Sequence, residues 1–340
     1  MDMPSNATAF EVLCLQAADE GRGNTLFGGC VPRARSAASP FMLPGKFPSV
    51  YLEFPLVGEP FMDVTILYGE LKPGMTIASE LAGDVGPLMD WYATAHQQHD
   101  TISLGFELDT GNGALPKAGL YFQPRDHMDL VMPYCKLLGE PERGELYLDL
   151  AQRMPHGWSL AALGMFRGRP NSPLRVGGYL GKHETEACVA DVARLPSVFE
   201  AAGFTAYDDV MLAQVREFLS TAPVGVDFQL DIYPDGTLGT TFALDLQLGI
   251  QQPEAVQKSY EDGLASRVFG LLQELGAADE RWKLSAGAAF ARALPVKMED
   301  GTTGVYSFIL MPQWIKVRWI NGVLQPSKLY LYGTAGLMES

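Results

Sequence analysis

The chain has 340 residues, 47% of them hydrophobic, with 40 acidic against 25 basic residues and a formal net charge of −15. That is ample apolar material for a large core, under a surface field that repels nucleic acid and anionic lipid, so neither is an expected partner. No run approaches the roughly 18 apolar residues of a membrane helix. The opening MDMPSNATAFEVL lacks the features of a secretory leader, and four dispersed cysteines without a C-x-x-C pair (Cys14, Cys30, Cys135, Cys188) read as reduced thiols of a cytoplasmic protein.

After an N-terminal extension, residues 1–46, strand-like runs come in pairs with helical runs between them. The first pair is SVYLEFPLV (49–57) with FMDVTILYGEL (61–71), followed by a helical run over 80–98 interrupted by its own Gly-Pro. TISLGFELD (101–109) and KAGLYFQP (117–124) form the second pair across a turn-rich link. Two amphipathic segments follow, broken at Gly-Glu-Pro. SLAALGMFRGR (159–169) pairs with PLRVGGYLGK (173–182), and TEACVADVARLPSVFEAAG reads as helix. VGVDFQLDIYP (224–234) pairs with GTLGTTFALDLQL (236–248) across the hairpin signal Asp235-Gly236, before the longest helix candidate, 253–276. GVYSFILMP (304–312) pairs last with KLYLYGT (328–334). QWIKVRWINGVLQPS between them fits either a helix or an extra hairpin turning at Asn321-Gly322.

Hairpins imply antiparallel pairing, since parallel strands need a crossover. Five hairpins separated by amphipathic helices predict a single-domain α+β architecture: a closed barrel of ten antiparallel strands with helices outside. Its repeats cover about 47–98, 101–155, 158–203, 208–276 and 304–334. The strands alternate strictly. Ile102, Leu104, Phe106 and Leu108 oppose Ser103, Gly105, Glu107 and Asp109; Val224, Val226, Phe228, Leu230 and Ile232 oppose Gly225, Asp227, Gln229, Asp231 and Tyr233. With helices covering the apolar face, the polar face lines a lumen wide enough for a ligand. Glu107, Gln229 and Tyr233 are thereby candidate substrate contacts.

The second strands share a spacing: Lys117-x-Gly119-x-Tyr121, Arg175-x-Gly177-x-Tyr179 and Lys328-x-Tyr330-x-Tyr332. A period of two puts each triplet on one face. Three cations then point inward near one end, with tyrosines one step deeper and glycines leaving room for a ligand. Cations grip a phosphorylated leaving group, and aromatic faces stabilise a carbocation. A plain alternative is solvated residues at strand ends.

The hairpin order, and the segments FELDTGNGALPKAGLYFQP, LRVGGYL, DIYPDGTLGTTFALD and SKLYLYG, resemble the ABBA-type (αββα) aromatic prenyltransferases over roughly residues 47–334. Soluble bacterial members and the cyanobactin peptide prenyltransferases share this layout. The resemblance implies transfer of a prenyl group from an allylic diphosphate to an electron-rich aromatic, either a small molecule or a peptide side chain. It implies that Lys117, Arg175 and Lys328 hold diphosphate and that Tyr121, Tyr179, Tyr330 and Tyr332 shield the cation. Glu53, inward by alternation, would orient the acceptor or help to bind magnesium.

The fourth hairpin departs from the family pattern, carrying Thr237 and Thr241 where a cation is usual. Three cations against six lumen carboxylates (Glu53, Glu107, Asp109, Asp227, Asp231, Asp245) lead to the expectation that magnesium bridges diphosphate and protein. A different enzyme using the acid-rich lumen, and a non-catalytic barrel for a hydrophobic or peptide ligand, are the alternatives. His96-x-x-His99 lacks the glutamate of a zinc-protease motif. GRGNTLFGG (21–29) lacks the Lys-Ser/Thr of a phosphate-binding loop.

Overall fold

The structure, a computed structural model, describes residues 2–110, 118–166, 172–221, 226–298 and 300–338. Its strands are β1 (Ser49–Pro55), β2 (Asp63–Tyr68), β3 (Ser103–Leu108), β4 (Gly119–Gln123), β5 (Trp158–Met165) and β6 (Leu174–Leu180). They continue with β7 (Val226–Ile232), β8 (Leu238–Gln247), β9 (Phe290–Lys297), β10 (Thr303–Ile320), β11 (Val323–Leu324) and β12 (Lys328–Leu337). Strands β1 to β8 pair each with the next, β8 pairs with β10, β10 with β12, and β12 returns to β1, every pair antiparallel. Ten strands therefore close on themselves. β9 and β11 lie off the ring, each hydrogen-bonded to β10.

The apolar strand faces point outward, as the alternation requires. Val50, Leu52, Phe54, Leu104, Phe106, Leu120, Phe122, Val226 and Phe228 are buried in one core with helix residues such as Phe10, Tyr134, Phe199 and Phe269. The first 46 residues contribute to this cover. Helices Asn6–Ala18, Arg22–Phe27 and Val31–Ala38 bury Leu13 and Phe27, and the Phe27 ring meets Phe54 edge-on at 5.2 Å. The run expected as one long helix over 253–276 is two helices, Val256–Glu261 and Leu264–Glu274, broken at Asp262-Gly263. No helix among the described residues is long and apolar enough to cross a membrane.

The ambiguous segment is strand. β10 runs on through it to Ile320 and turns at Asn321-Gly322, whose φ values of 50° and 77° suit a tight type I′ hairpin. A β-bulge between Pro312 and Trp314 inserts Gln313 as an unpaired extra residue. A bulge resets the two-residue alternation. Beyond it, Trp314, Lys316 and Arg318 face the lumen. Ile315, Val317 and Trp319 instead pack outward, where Trp319 Nε1 donates to Gln214 Oε1 at 2.9 Å.

Candidate functional site

Two connected cavities occupy the lumen and share Glu107, Arg175, Gln229 and Lys316. The mouth cavity, about 670 Å³, is lined among the described residues by four cations (Arg175, Lys316, Arg318, Lys328) and six carboxylates (Glu53, Glu59, Asp63, Glu107, Asp109, Asp231). The inner cavity, about 410 Å³, has aromatic walls of Tyr51, Tyr121, Trp314 and Tyr330. Tyr51 stacks on Trp314 at 4.7 Å.

Three of the four cations are paired. Arg175 Nε donates to Asp231 Oδ1 at 3.1 Å and its guanidinium sits 4.8 Å over the Phe166 ring. Lys316 lies 3.9 Å from Asp245 Oδ1 and 5.1 Å over Tyr330. Lys328 Nζ donates to Glu53 and lies 3.4 Å from Asp63 Oδ2, so two buried carboxylates share one ammonium. The sharing is unequal. Burial works to raise Glu53, but Lys328 and Lys316 outweigh it and hold the carboxyl at about 2. Burial and then the Glu53 charge raise Asp63 to about 7 against the pull of Lys328. Asp63 also accepts the Thr110 backbone N–H at 2.8 Å. Arg318 has no carboxylate within ion-pair distance among the described residues. Burial, followed by the charge of Arg175, lowers its affinity for a proton.

No protein-family model matches this chain, and no curated protein matches it. Among solved structures, 5-dimethylallyltryptophan synthase from Streptomyces coelicolor superposes with a TM-score of 0.55 at 13% identity, covering 97% of each chain. AnaPT from Neosartorya fischeri matches with a TM-score of 0.53 at 11% identity, over 98% of this chain and 93% of that one. The 6-dimethylallyltryptophan synthase from Micromonospora olivasterospora, solved in complex with DMASPP and Trp, matches with a TM-score of 0.52 at 16% identity over 97% of each chain. The chain has the ABBA prenyltransferase fold. At these identities the likeness establishes the barrel and leaves the chemistry to the residues.

Within this ABBA barrel, Glu53, Glu107, Arg175, Gln229 and Lys328 line the mouth cavity, and Tyr121 and Tyr330 the inner one. Lys117 lies outside the described residues. Other expectations need correction. Tyr332 lines neither cavity; it packs beside Tyr51, ring centroids 5.5 Å apart. Tyr233 lies past the end of β7, in the hairpin turn where its N–H bonds to Thr237 O at 2.9 Å, and it too lines neither cavity. Tyr179 reaches the inner cavity only at its open rim, 40% exposed. The inward glycines leave space for the protein's own rings, not for a ligand. A Cβ on Gly119 would fall 2.5 Å from the Phe166 ring, and one on Gly177 would fall 3.2 Å from the Tyr121 hydroxyl.

The sequence reading also missed residues. Lys316 and Arg318 supply cations that the fourth hairpin lacks, and Tyr51, Trp314 and Asp63 complete the walls. The K-x-R alternation in QWIKVRW was the available signal. No group of three or more His, Cys, Asp or Glu is placed to hold a metal ion among the described residues. Of the mouth carboxylates, Asp231, Glu53 and Asp63 are engaged in ion pairs with Arg175 and Lys328. The described residues thus offer no ready-made set of protein ligands for magnesium, and no step below is routed through one.

Proposed function

We propose that this protein transfers a prenyl group from an allylic diphosphate to an electron-rich aromatic acceptor held inside the barrel. The observation that carries the reading is the stacking of two chemistries in one lumen. Arg175, Lys316, Arg318 and Lys328 gather in one cavity, and Tyr121, Tyr330, Tyr51 and Trp314 wall the one adjoining it. Charge-assisted hydrogen bonds hold diphosphate oxygens at the mouth. As the allylic C–O bond breaks, negative charge grows on the leaving oxygens, where fixed cations stabilise it most. The allylic cation left behind is flanked by the faces of Tyr121 and Tyr330. The arene attacks, a C–C bond forms, and the arenium carbon gives its proton to a carboxylate.

Glu107 suits that last step because it borders both cavities, where donor and acceptor meet. Glu53 is committed to Lys328 and acts as a positioning residue for that lysine. A divalent ion would enter with the diphosphate rather than be held by the chain; comparing turnover in excess EDTA with turnover in added magnesium decides whether it contributes. A cytoplasmic setting accords with four unpaired thiols.

The test is incubation with dimethylallyl and geranyl diphosphate and a panel of indoles and phenols, read as diphosphate released only when an acceptor is present. A second reading, a binding barrel without chemistry, draws on the pairing of three mouth cations with the protein's own carboxylates. It predicts saturable donor binding with no release.

A further inference from the structure

The inner cavity carries an acidic pair that the transfer reaction does not use. Asp227 of β7 and Asp245 of β8 are direct cross-strand partners on the lumen face, an arrangement in which like charges repel. Asp245 is only 8% exposed. Gln229 Nε2 donates to its Oδ2 at 2.7 Å, but Oδ1 accepts no hydrogen bond and has only Lys316, 3.9 Å away. Gln313, the residue that the β10 bulge inserts, lines the same cavity with a buried Oε1 that is also unbonded. Both orphaned atoms are acceptors, and leaving buried acceptors unmade costs stability.

The basic groups facing this space are shared: Lys316 is 3.9 Å from Asp245, and the charge of Arg125 acts on Asp227, but neither donates a hydrogen bond to the pair. Their hydrogen bonds go to other groups or to none: Arg175 donates to Asp231, Arg125 donates to Gln123 Oε1 at 3.1 Å, and Lys316 lies 5.1 Å over the Tyr330 ring. Two unfilled acceptors, a facing pair of carboxylates and a stacked Tyr51–Trp314 wall ask for a flat ring that carries a positively charged N–H donor.

We propose that the acceptor is an arylalkylamine whose side-chain ammonium seats between Asp227 and Asp245, with its ring against Tyr51 and Trp314. The inference rests on the proposed function only in calling this ligand the acceptor. Burial and then the Asp245 charge raise Asp227 to about 7, as expected of a carboxylate waiting for a counter-cation.

The experiment is a calorimetric titration of the whole protein, without donor, using tryptamine, 3-ethylindole and indole-3-propionate. These share a ring and differ in charge. Tyramine and 4-ethylphenol repeat the comparison on a second ring. The amines should bind about 10-fold or more tightly than their neutral partners, the margin of one charge-assisted hydrogen bond, and the acid weakest. Asp227→Asn should erase the margin and Asp227→Glu retain it, while inorganic diphosphate still binds at the mouth. Equal affinities, tighter binding of the acid, or no saturable binding of either amine would overturn the proposal. Because no donor is present, amine preference without prenyl transfer counts only against the proposed reaction. Prenyl transfer without amine preference counts only against this inference.

Discussion

Arg318→Ala is the cleanest probe of the mouth. Every other described cation there holds a carboxylate, so removing it strands a buried charge as well as a diphosphate contact. Arg318 has no such partner, and the largest influence on it after burial is the like charge of Arg175. Its loss therefore removes a burial cost and the repulsion by Arg175, set against the attraction of Glu53 and Asp231, and it strands no ion-pair partner. A hydrogen bond to a charged group contributes about 1.5–3 kcal/mol. At about 1.4 kcal/mol per tenfold, the variant should bind inorganic diphosphate roughly ten- to a hundredfold more weakly. The assay is titration calorimetry with inorganic diphosphate, paired with a melting curve. The expected result is weakened binding with an unchanged or slightly raised melting temperature. Wild-type affinity in the variant would refute the argument that the mouth is an anion site built around β10.

Lys328→Ala should behave differently. It leaves Glu53 and Asp63 buried without their ammonium, a loss of about 3–5 kcal/mol by analogy with other broken buried pairs. Urea unfolding should show it, and adding Glu53→Gln and Asp63→Asn should restore part of it. Diphosphate affinity should fall as pH rises from about 6 to about 8, because Asp63, raised to about 7, is neutral below that range and negative above it. Asp63→Asn should flatten the profile. Stability follows the same sign. The raised carboxyls of Asp63 and Asp227 favour the folded state below the unfolded carboxyl range, and that contribution is lost as pH rises through about 7. Thermal melts at about pH 5 and about pH 8 check it. Glu107→Gln should lower kcat by about 10²-fold or more, the usual effect of losing a general base, with diphosphate affinity retained.

Much of the barrel was legible because each hairpin announces itself locally. Asp235-Gly236 is a turn signal, and the alternation around Phe106 and Phe228 separates an outward apolar face from a wet one. Arg175 and Lys328 were legible for the same reason, since their strands keep one uninterrupted phase. Lys316 and Arg318 were not. Counted by twos from Phe308 and Leu310, which pack in the core, they fall on the apolar face; the Gln313 bulge alone turns them inward. Tyr332 shows the reverse limit: correct parity does not tell whether a ring reaches the cavity, and this one is half-buried beside Tyr51. The inward glycines were misread because the rings that fill them, Phe166 and Tyr121, come from other strands or the loop beyond β5. β9 escaped notice because its faces do not alternate: most of it is exposed, and it pairs only with the part of β10 that projects from the ring.

The central claim is tested most directly by mass spectrometry of the complete reaction: the whole protein, dimethylallyl diphosphate and an aromatic acceptor carrying an amine. The expected product is heavier by one prenyl unit on the ring, forms in step with diphosphate release, and is reduced in Arg318→Ala and Glu107→Gln. Saturable diphosphate binding with no prenylated product, across dimethylallyl and geranyl donors and both indole and phenol rings, would contradict it.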